Sequence, residues 1–223
     1  MNVQAWLREF GPDMLAVVAS LAMVAAYYAS LLARVRRDPL CTIHGVNQLA
    51  RTLWVEHVMA NPGKDVMAVQ TLRNFVMGAS LMASTAALLV VGTLTLSGQA
   101  ESISRTWHVF VGFGSGSSEV WMVKVLCLLA DFIVAFLAFA MAVRLANHVA
   151  FMINIPAKDA PPLLSPRNVA RRLNRAGNHF AIGLRAYFFA VPMVFWLFGP
   201  AFLVAATVGL VATLHRLDRN PAE

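Results

Sequence analysis

Three side chains that could do chemistry fall within one apolar stretch of the chain, at Lys124, Cys127 and Asp131. Lys124 and Asp131 are two helical turns apart, so in a helix both project from one face, with Cys127 between them. Their backbones would differ by about 10 Å along the axis, which makes a direct ion pair within one chain strained and a bridge through water or a neighbouring subunit easier. The stripe predicts either an ion or proton pathway or a structural polar pair.

A second candidate is the motif Arg-x-x-Asn-His, which occurs from Arg144 to His148 and again from Arg175 to His179. In helices, each copy places the arginine one turn from the Asn and His, so Asn147 and His148 could join a polar site where the two copies meet. Two such histidines could also ligate haem or a metal, but neither has a neighbouring carboxylate or thiol. We therefore predict no cofactor and no metal, with ligation as the alternative.

Hydrolytic chemistry has little support in the sequence. No GxSxG, HExxH or paired Asp/Glu motif is present, and the acidic residues are scattered along the chain. We predict that the protein is not an enzyme.

The composition places the chain outside the soluble class, because 59% of its residues are hydrophobic, 13% are charged and the mean hydropathy is +0.65. Four apolar runs are long enough to cross a hydrocarbon core of about 30 Å, at about 14–33, 75–96, 120–143 and 186–214. They predict an all-α, polytopic membrane protein, a single membrane domain of four transmembrane helices with amphipathic cytoplasmic helices. The fourth run is longer than needed, and Pro192 and Pro200 are candidate points for a kink or break.

The distribution of Lys and Arg predicts the orientation. The first connection, 35–73, and the third, 148–185, are rich in both, whereas the second contains only Arg105. Because Lys and Arg are enriched on the cytoplasmic side, both basic connections should lie in the cytoplasm and both termini outside it, in the cell inner (plasma) membrane. The net charge of +7 is then a topology signal, and we expect no nucleic-acid partner.

The basic connections suggest contact with lipid. We expect a helix over about Val46–Val58 that lies along the membrane surface with Arg51 facing headgroups or a partner. The third connection should form a basic helix over about Ser165–Asn178, with four candidate contacts to lipid or a partner: Arg167, Arg171, Arg172 and Arg175. A basic amphipathic helix beside a membrane usually pairs with anionic lipid, and docking of another protein subunit or an acidic ligand is the alternative.

Several segments resemble a known family. They are Val69–Asn74 leading into Ala79–Thr85, Lys124 with the Phe-rich stretch to Arg144–His148, and Phe180–Ala190 followed by Trp196 and Pro200. From about Asn47 to Pro200 the chain resembles the membrane-protein family catalogued as domain of unknown function 599. That family usually has an aromatic residue where His148 stands, which weakens a ligand role for this position. The resemblance implies no activity, but places Arg73, Arg144 and Arg185 near the cytoplasmic ends of three spans.

Two functions follow as hypotheses. The first is a homo-oligomeric channel or transporter for a small ion or solute, with Lys124 and Asp131 inside a path shared between subunits. Arg73, Arg144 and Arg185 would form its anion-attracting mouth. Asn74, Asn147 and His148 are further candidates for the transport path or its polar network. The second is an accessory or scaffold subunit that binds a partner or anionic lipid through its basic helices, in which Asp131 is merely structural.

Overall fold

The structure is a computed structural model that describes residues 3–61, 63–98 and 118–218. Within these ranges every regular element is helical, which confirms the all-α prediction. The helices are α1 Val3–Arg37, α2 Ile43–Ala60, α3 Asp65–Ser97, α4 Ser118–Met152, α5 Pro166–Phe198 and α6 Pro200–Leu217, with a 3-10 turn at Pro162–Leu164. Arg105 and the rest of the second connection lie outside the described residues.

Five of these helices, α1 from Phe10 onward, α3, α4, α5 and α6, are long and apolar enough to cross a membrane. The prediction of four spans is therefore wrong in number, because the run at 186–214 is not one helix. Gly199 has a φ of +149°, a conformation that favours glycine, and Pro200 then occupies the first turn of α6. Pro192 stays inside α5, so the chain breaks at Gly199.

Helices α5 and α6 form an antiparallel hairpin. At the end of α6, Asp218 Oδ2 lies 3.2 Å from Arg185 Nη2 of α5, and the Asp218 carbonyl accepts from the Ile43 backbone N–H at 3.4 Å. At the opposite end of the bundle, Asp13 of α1 meets Lys124 of α4. Asp13 and Asp218 thus lie at opposite ends of the bundle.

The spans pack in the order α3, α4, α5, α6, α1, each against the next. Small side chains allow close approach in the middle of this row, where Ala86 and Ala135 are fully buried and Gly183 lies against the Phe139 ring. The bundle is therefore tightly packed where α3, α4 and α5 meet.

Helix α5 has 33 residues and is about 50 Å long, so its first half, residues 166–182, extends past the apolar runs of its neighbours. The predicted basic helix and the start of the last span are thus one helix. Helix α2 packs along this half of α5. The two helices, with the adjoining ends of α3 and α4, enclose a core of Val55, Val58, Met59, Ala68, Leu72, Val149, Ile153, Val169, Ala170 and Leu173. We call this part of the molecule the peripheral layer.

Candidate functional site

The predicted polar stripe on α4 is divided between two environments. Lys124 Nζ lies 2.8 Å from Asp13 Oδ1, and both side chains are only 5% exposed. Trp196 of α5 completes the group, because its Nε1–H donates to Asp13 Oδ1 at 2.8 Å and its ring lies 5.4 Å from Lys124 Nζ. We call this the outer ion pair. It connects α1, α4 and α5, and Asp13 was not among the predicted site residues.

Asp131 does not join this group. Its side chain is half-buried, and its Oδ2 atom is buried without a hydrogen-bond partner among the described residues. Cys127, between Lys124 and Asp131, is exposed. The neighbouring apolar runs, 14–33, 74–97, 186–198 and 200–214, contain no charged residue. An unpaired carboxyl group among apolar helices needs a proton, a water molecule or a cation, so Asp131 is a candidate for ion or proton binding.

Four contacts fix the relative heights of the helices at the opposite, basic end. Tyr27 of α1 donates to Asp218 Oδ2 at 2.6 Å, and Asp218 pairs with Arg185. The rings of Phe75 on α3 and Phe139 on α4 both lie 5.5 Å from the ring of Phe180 on α5. Positions on four helices can therefore be compared along one axis.

A helix rises about 1.5 Å per residue, so the height of other residues along the bundle axis can be counted from these contacts. By this count, each of the four helices has one arginine about 10–15 Å from Arg185 toward the peripheral layer. These are Arg34 of α1, Arg73 of α3, Arg144 of α4 and Arg175 of α5, and all four are exposed. We call them the arginine girdle. Asn74, Asn147 and His148, three further predicted site residues, are exposed near the same height.

Arg185, which was expected beside Arg73 and Arg144, lies deeper than the girdle. It pairs with Asp218, and its guanidinium carbon lies 5.2 Å from the centre of the Tyr28 ring. The residues of the predicted anion-attracting mouth thus fall in two separate places, an exposed girdle and a partly buried Arg185–Asp218 pair.

The remaining predicted arginines differ in exposure. Arg167 and Arg171 are exposed on α5 beyond the girdle, and Arg172 is half-buried. Arg51 is half-buried between α2 and α5, where its Nε–H donates to Asn174 Oδ1 at 2.9 Å and its guanidinium lies against Gly177. Its Nη2 atom is buried with no partner among the described residues, and burial lowers the pKa of the Arg51 guanidinium.

A cavity of about 740 Å³ lies where α1, α2, α5 and Asp218 meet, and no pattern in the sequence predicted it. We call it the junction cavity. On its polar side Gln48 donates to Asn178 Oδ1 at 3.1 Å, and Asn174 Nδ2 donates to Thr52 Oγ1 at 3.0 Å. The sequence does contain matching polar pairs, four residues apart on each helix, but their spacing could not show that α2 packs against α5.

Metal ligation has no support in the described part of the chain, where no three His, Cys, Asp or Glu side chains form a group that could hold a metal ion. His148 is exposed and His179 is half-buried.

Comparison with known proteins places the chain in a family. A family model described as "Protein of unknown function, DUF599" matches residues 15–222. No curated protein and no solved structure matches the chain. Because the family model covers nearly the whole sequence, as the resemblance of its motifs indicated, the chain belongs to the DUF599 family.

Proposed function

We propose that this protein is a multi-pass inner-membrane protein that binds anionic lipid at its basic end, as an accessory or scaffold subunit. The observation that supports this proposal is the arginine girdle, in which four different helices each present one exposed arginine at a similar height. Lys and Arg favour the cytoplasmic side, so the girdle and the peripheral layer lie in the cytoplasm. With five crossings, the N-terminal end is then outside and Asp218 is on the cytoplasmic side.

The girdle coincides with the edge of the apolar surface. Arg34 directly follows the apolar run of α1, and Arg73 and Asn74 directly precede that of α3. These side chains therefore stand at the height of the lipid headgroups. Near an anionic membrane surface each Lys or Arg contributes about 1 kcal/mol of attraction, so a set of four selects acidic over zwitterionic lipid.

Native mass spectrometry tests this proposal. The purified protein is exchanged into an equimolar mixture of phosphatidylglycerol and phosphatidylcholine, and the ratio of the two lipids that remain bound is measured. We expect a several-fold excess of phosphatidylglycerol on the wild type and loss of that excess when Arg34, Arg73, Arg144 and Arg175 are all changed to Gln. An unchanged ratio in the fourfold variant would refute the proposal.

The matched control is Arg167→Gln. Arg167 is an exposed arginine of the same helix as Arg175 but lies about 12 Å farther along α5, beyond the headgroup height. Its loss should leave the lipid ratio unchanged. Arg167 and Arg171 are the arginines that we assign to contact with another protein subunit.

A homo-oligomeric channel or transporter is the second candidate, and the unpartnered Oδ2 of Asp131 favours it. Since Asp13 neutralises Lys124, Asp131 alone would supply charge to a path shared between subunits. In proteoliposomes, Asp131→Ala should change ion or proton flux or its pH dependence, and Cys127→Ser, on an exposed position of the same helix, should not. This candidate function would be excluded if vesicles with the wild type showed no flux, or if wild type and Asp131→Ala gave equal flux.

A further inference from the structure

The junction cavity spans the boundary between the apolar spans and the peripheral layer. Its deep end is formed by Tyr28, Arg185 and Asp218, and its shallow end by Gln48 and Asn174. Asn174 is eleven residues from Arg185 on α5, so the two ends are about 16 Å apart along the axis. The cavity thus runs from the depth of the lipid chains to the height of the arginine girdle, and its volume of about 740 Å³ suits a small organic ligand.

One wall of the cavity is apolar and continues onto the outer surface of the bundle. Leu31, Leu32 and Val35 of α1 form it together with Ile182 of α5. Leu32 and Ile182 are also exposed on the surface that meets lipid chains. A molecule with a hydrocarbon chain can therefore contact the same surface inside and outside the cavity, which favours an amphiphile that enters from the bilayer.

The polar side offers hydrogen-bond donors. Asn178 Oδ1 accepts from Gln48, and Asn178 Nδ2 has no partner among the described residues. Arg185 uses Nη2 for Asp218, while its Nε and Nη1 make no hydrogen bond within the described part of the chain. His44 Nε2 lies 2.9 Å from the Gln48 amide nitrogen, which can only donate, so neutral His44 has its proton on Nδ1. All three donors belong to residues that line the cavity.

The charges around the cavity are mainly positive. Arg51 of α2 lies beside the cavity, Arg185 of α5 lines it, and Asp218 after α6 is the single acid among the described residues that line it. Burial lowers the pKa of His44, and the cationic Arg51 and Arg185 lower it further, against the opposing effect of Asp218. The balance of these effects is a positive potential, which favours an anionic ligand.

We propose that the junction cavity binds the headgroup of a single acidic phospholipid, with the phosphate near His44 and Asn178 and an acyl chain along Leu32 and Ile182, which lie deeper than Asn178. This inference rests on the proposed function in one respect, that the girdle marks the headgroup height. It goes further in assigning one saturable site, distinct from the exposed arginines. Inorganic phosphate would satisfy the donors but leave the apolar wall uncovered.

Two cavity variants test the site. Asn178→Asp keeps the size of the side chain and its acceptor for Gln48 but places a negative charge beside the phosphate. Ala181→Phe fills the space between α2 and α1. The matched controls are Asn47→Asp and Ala212→Phe, at exposed positions that do not line the cavity.

The readout is native mass spectrometry with phosphatidylglycerol, at a detergent concentration that removes loosely held lipid. We expect the wild type and both controls to retain one phosphatidylglycerol per chain. In both cavity variants the fraction of chains that retain this lipid should fall at least tenfold. A wild type without retained lipid, or cavity variants with wild-type occupancy, would overturn the inference. Equal thermal stabilisation of the wild type by inorganic phosphate and by phosphatidylglycerol would do the same, since the ligand would then be the free ion.

The fourfold girdle variant separates this inference from the proposed function. It should lose its general preference for acidic lipid but keep the single retained phosphatidylglycerol. If the girdle variant loses the preference and the cavity variants change nothing, the proposed function stands and the cavity site does not exist. If the cavity variants lose their lipid while the girdle variant keeps its preference, the cavity binds lipid and the girdle does not.

Discussion

The outer ion pair should be a major source of stability that depends on both of its partners. Asp13 and Lys124 are each 5% exposed and 2.8 Å apart, and Asp13 also accepts from Trp196. Removal of one partner leaves the other charge buried, a change that costs about 3–5 kcal/mol. Asp13→Asn and Lys124→Met should therefore each raise the equilibrium constant for unfolding by about a hundredfold to several thousandfold.

The double variant should behave differently. Asp13→Asn keeps an oxygen that can accept from Trp196, and Lys124→Met preserves most of the length of the side chain without its charge. Because replacement of a whole buried ion pair by neutral groups is often nearly neutral, the double variant should be at least 2 kcal/mol more stable than the sum of the two single effects predicts.

Reversible unfolding in mixed detergent micelles, followed by circular dichroism, measures these differences. Asp65→Asn and Lys158→Met alter exposed residues of the same types and should each change the free energy of unfolding by less than about 0.5 kcal/mol. Single variants of the pair that cost less than about 1 kcal/mol, or a double variant that equals their sum, would refute the reasoning.

Other substitutions probe packing, capping and pH. Gly183→Ala should cost about 1–3 kcal/mol, since a Cβ there would lie 2.7 Å from the Phe139 ring, whereas Gly92→Ala, with open space, should stabilise by about 0.5–1 kcal/mol in the same unfolding assay. Thr42→Ala removes the N-cap of α2 and should cost about 0.5–2 kcal/mol, with faster amide exchange at the start of α2. His44 has a lowered pKa because of burial and nearby cations, so the unfolded chain binds its proton more readily. Stability should fall as the pH drops below about 6.5, and His44→Gln should flatten that dependence in a pH series; a steeper dependence would contradict it.

The sequence predicted the helical class and the approximate position of three spans, because long apolar runs without charge have few other solutions. Hydropathy marks only the apolar part of a helix and does not show where the helix ends. Helices α3 and α4 continue beyond their apolar runs, to Asp65 and to Met152, and their side chains pack there in the peripheral layer. The run at 186–214 was misjudged because it contains no charge to mark the turn at Gly199. A tilted long helix and a hairpin are equally consistent with its hydropathy.

The candidate sites were predictable only within single helices. Helical periodicity correctly placed Lys124 and Asp131 on one helix, but it does not show which helices are neighbours. The partner of Lys124 is Asp13, far away in the sequence, and the partner of Arg185 is Asp218, which is close only because the chain turns at Gly199. The cavity depends on the packing of α2 against α5, which no local pattern specifies.

The positive φ of Gly199 sets the direction in which α6 leaves α5, and therefore the end of the bundle at which α6 finishes. Any residue with a Cβ is strained at a φ of +149°, so a larger side chain there destabilises the turn between α5 and α6, while Pro200 still prevents one straight helix. The Arg185–Asp218 contact opposes that outcome, because it forms only when the hairpin is closed. The ion pair therefore holds the end of α6 beside the middle of α5, and a reporter enzyme fused after Asp218 would show whether a Gly199 variant moves that end to the other compartment.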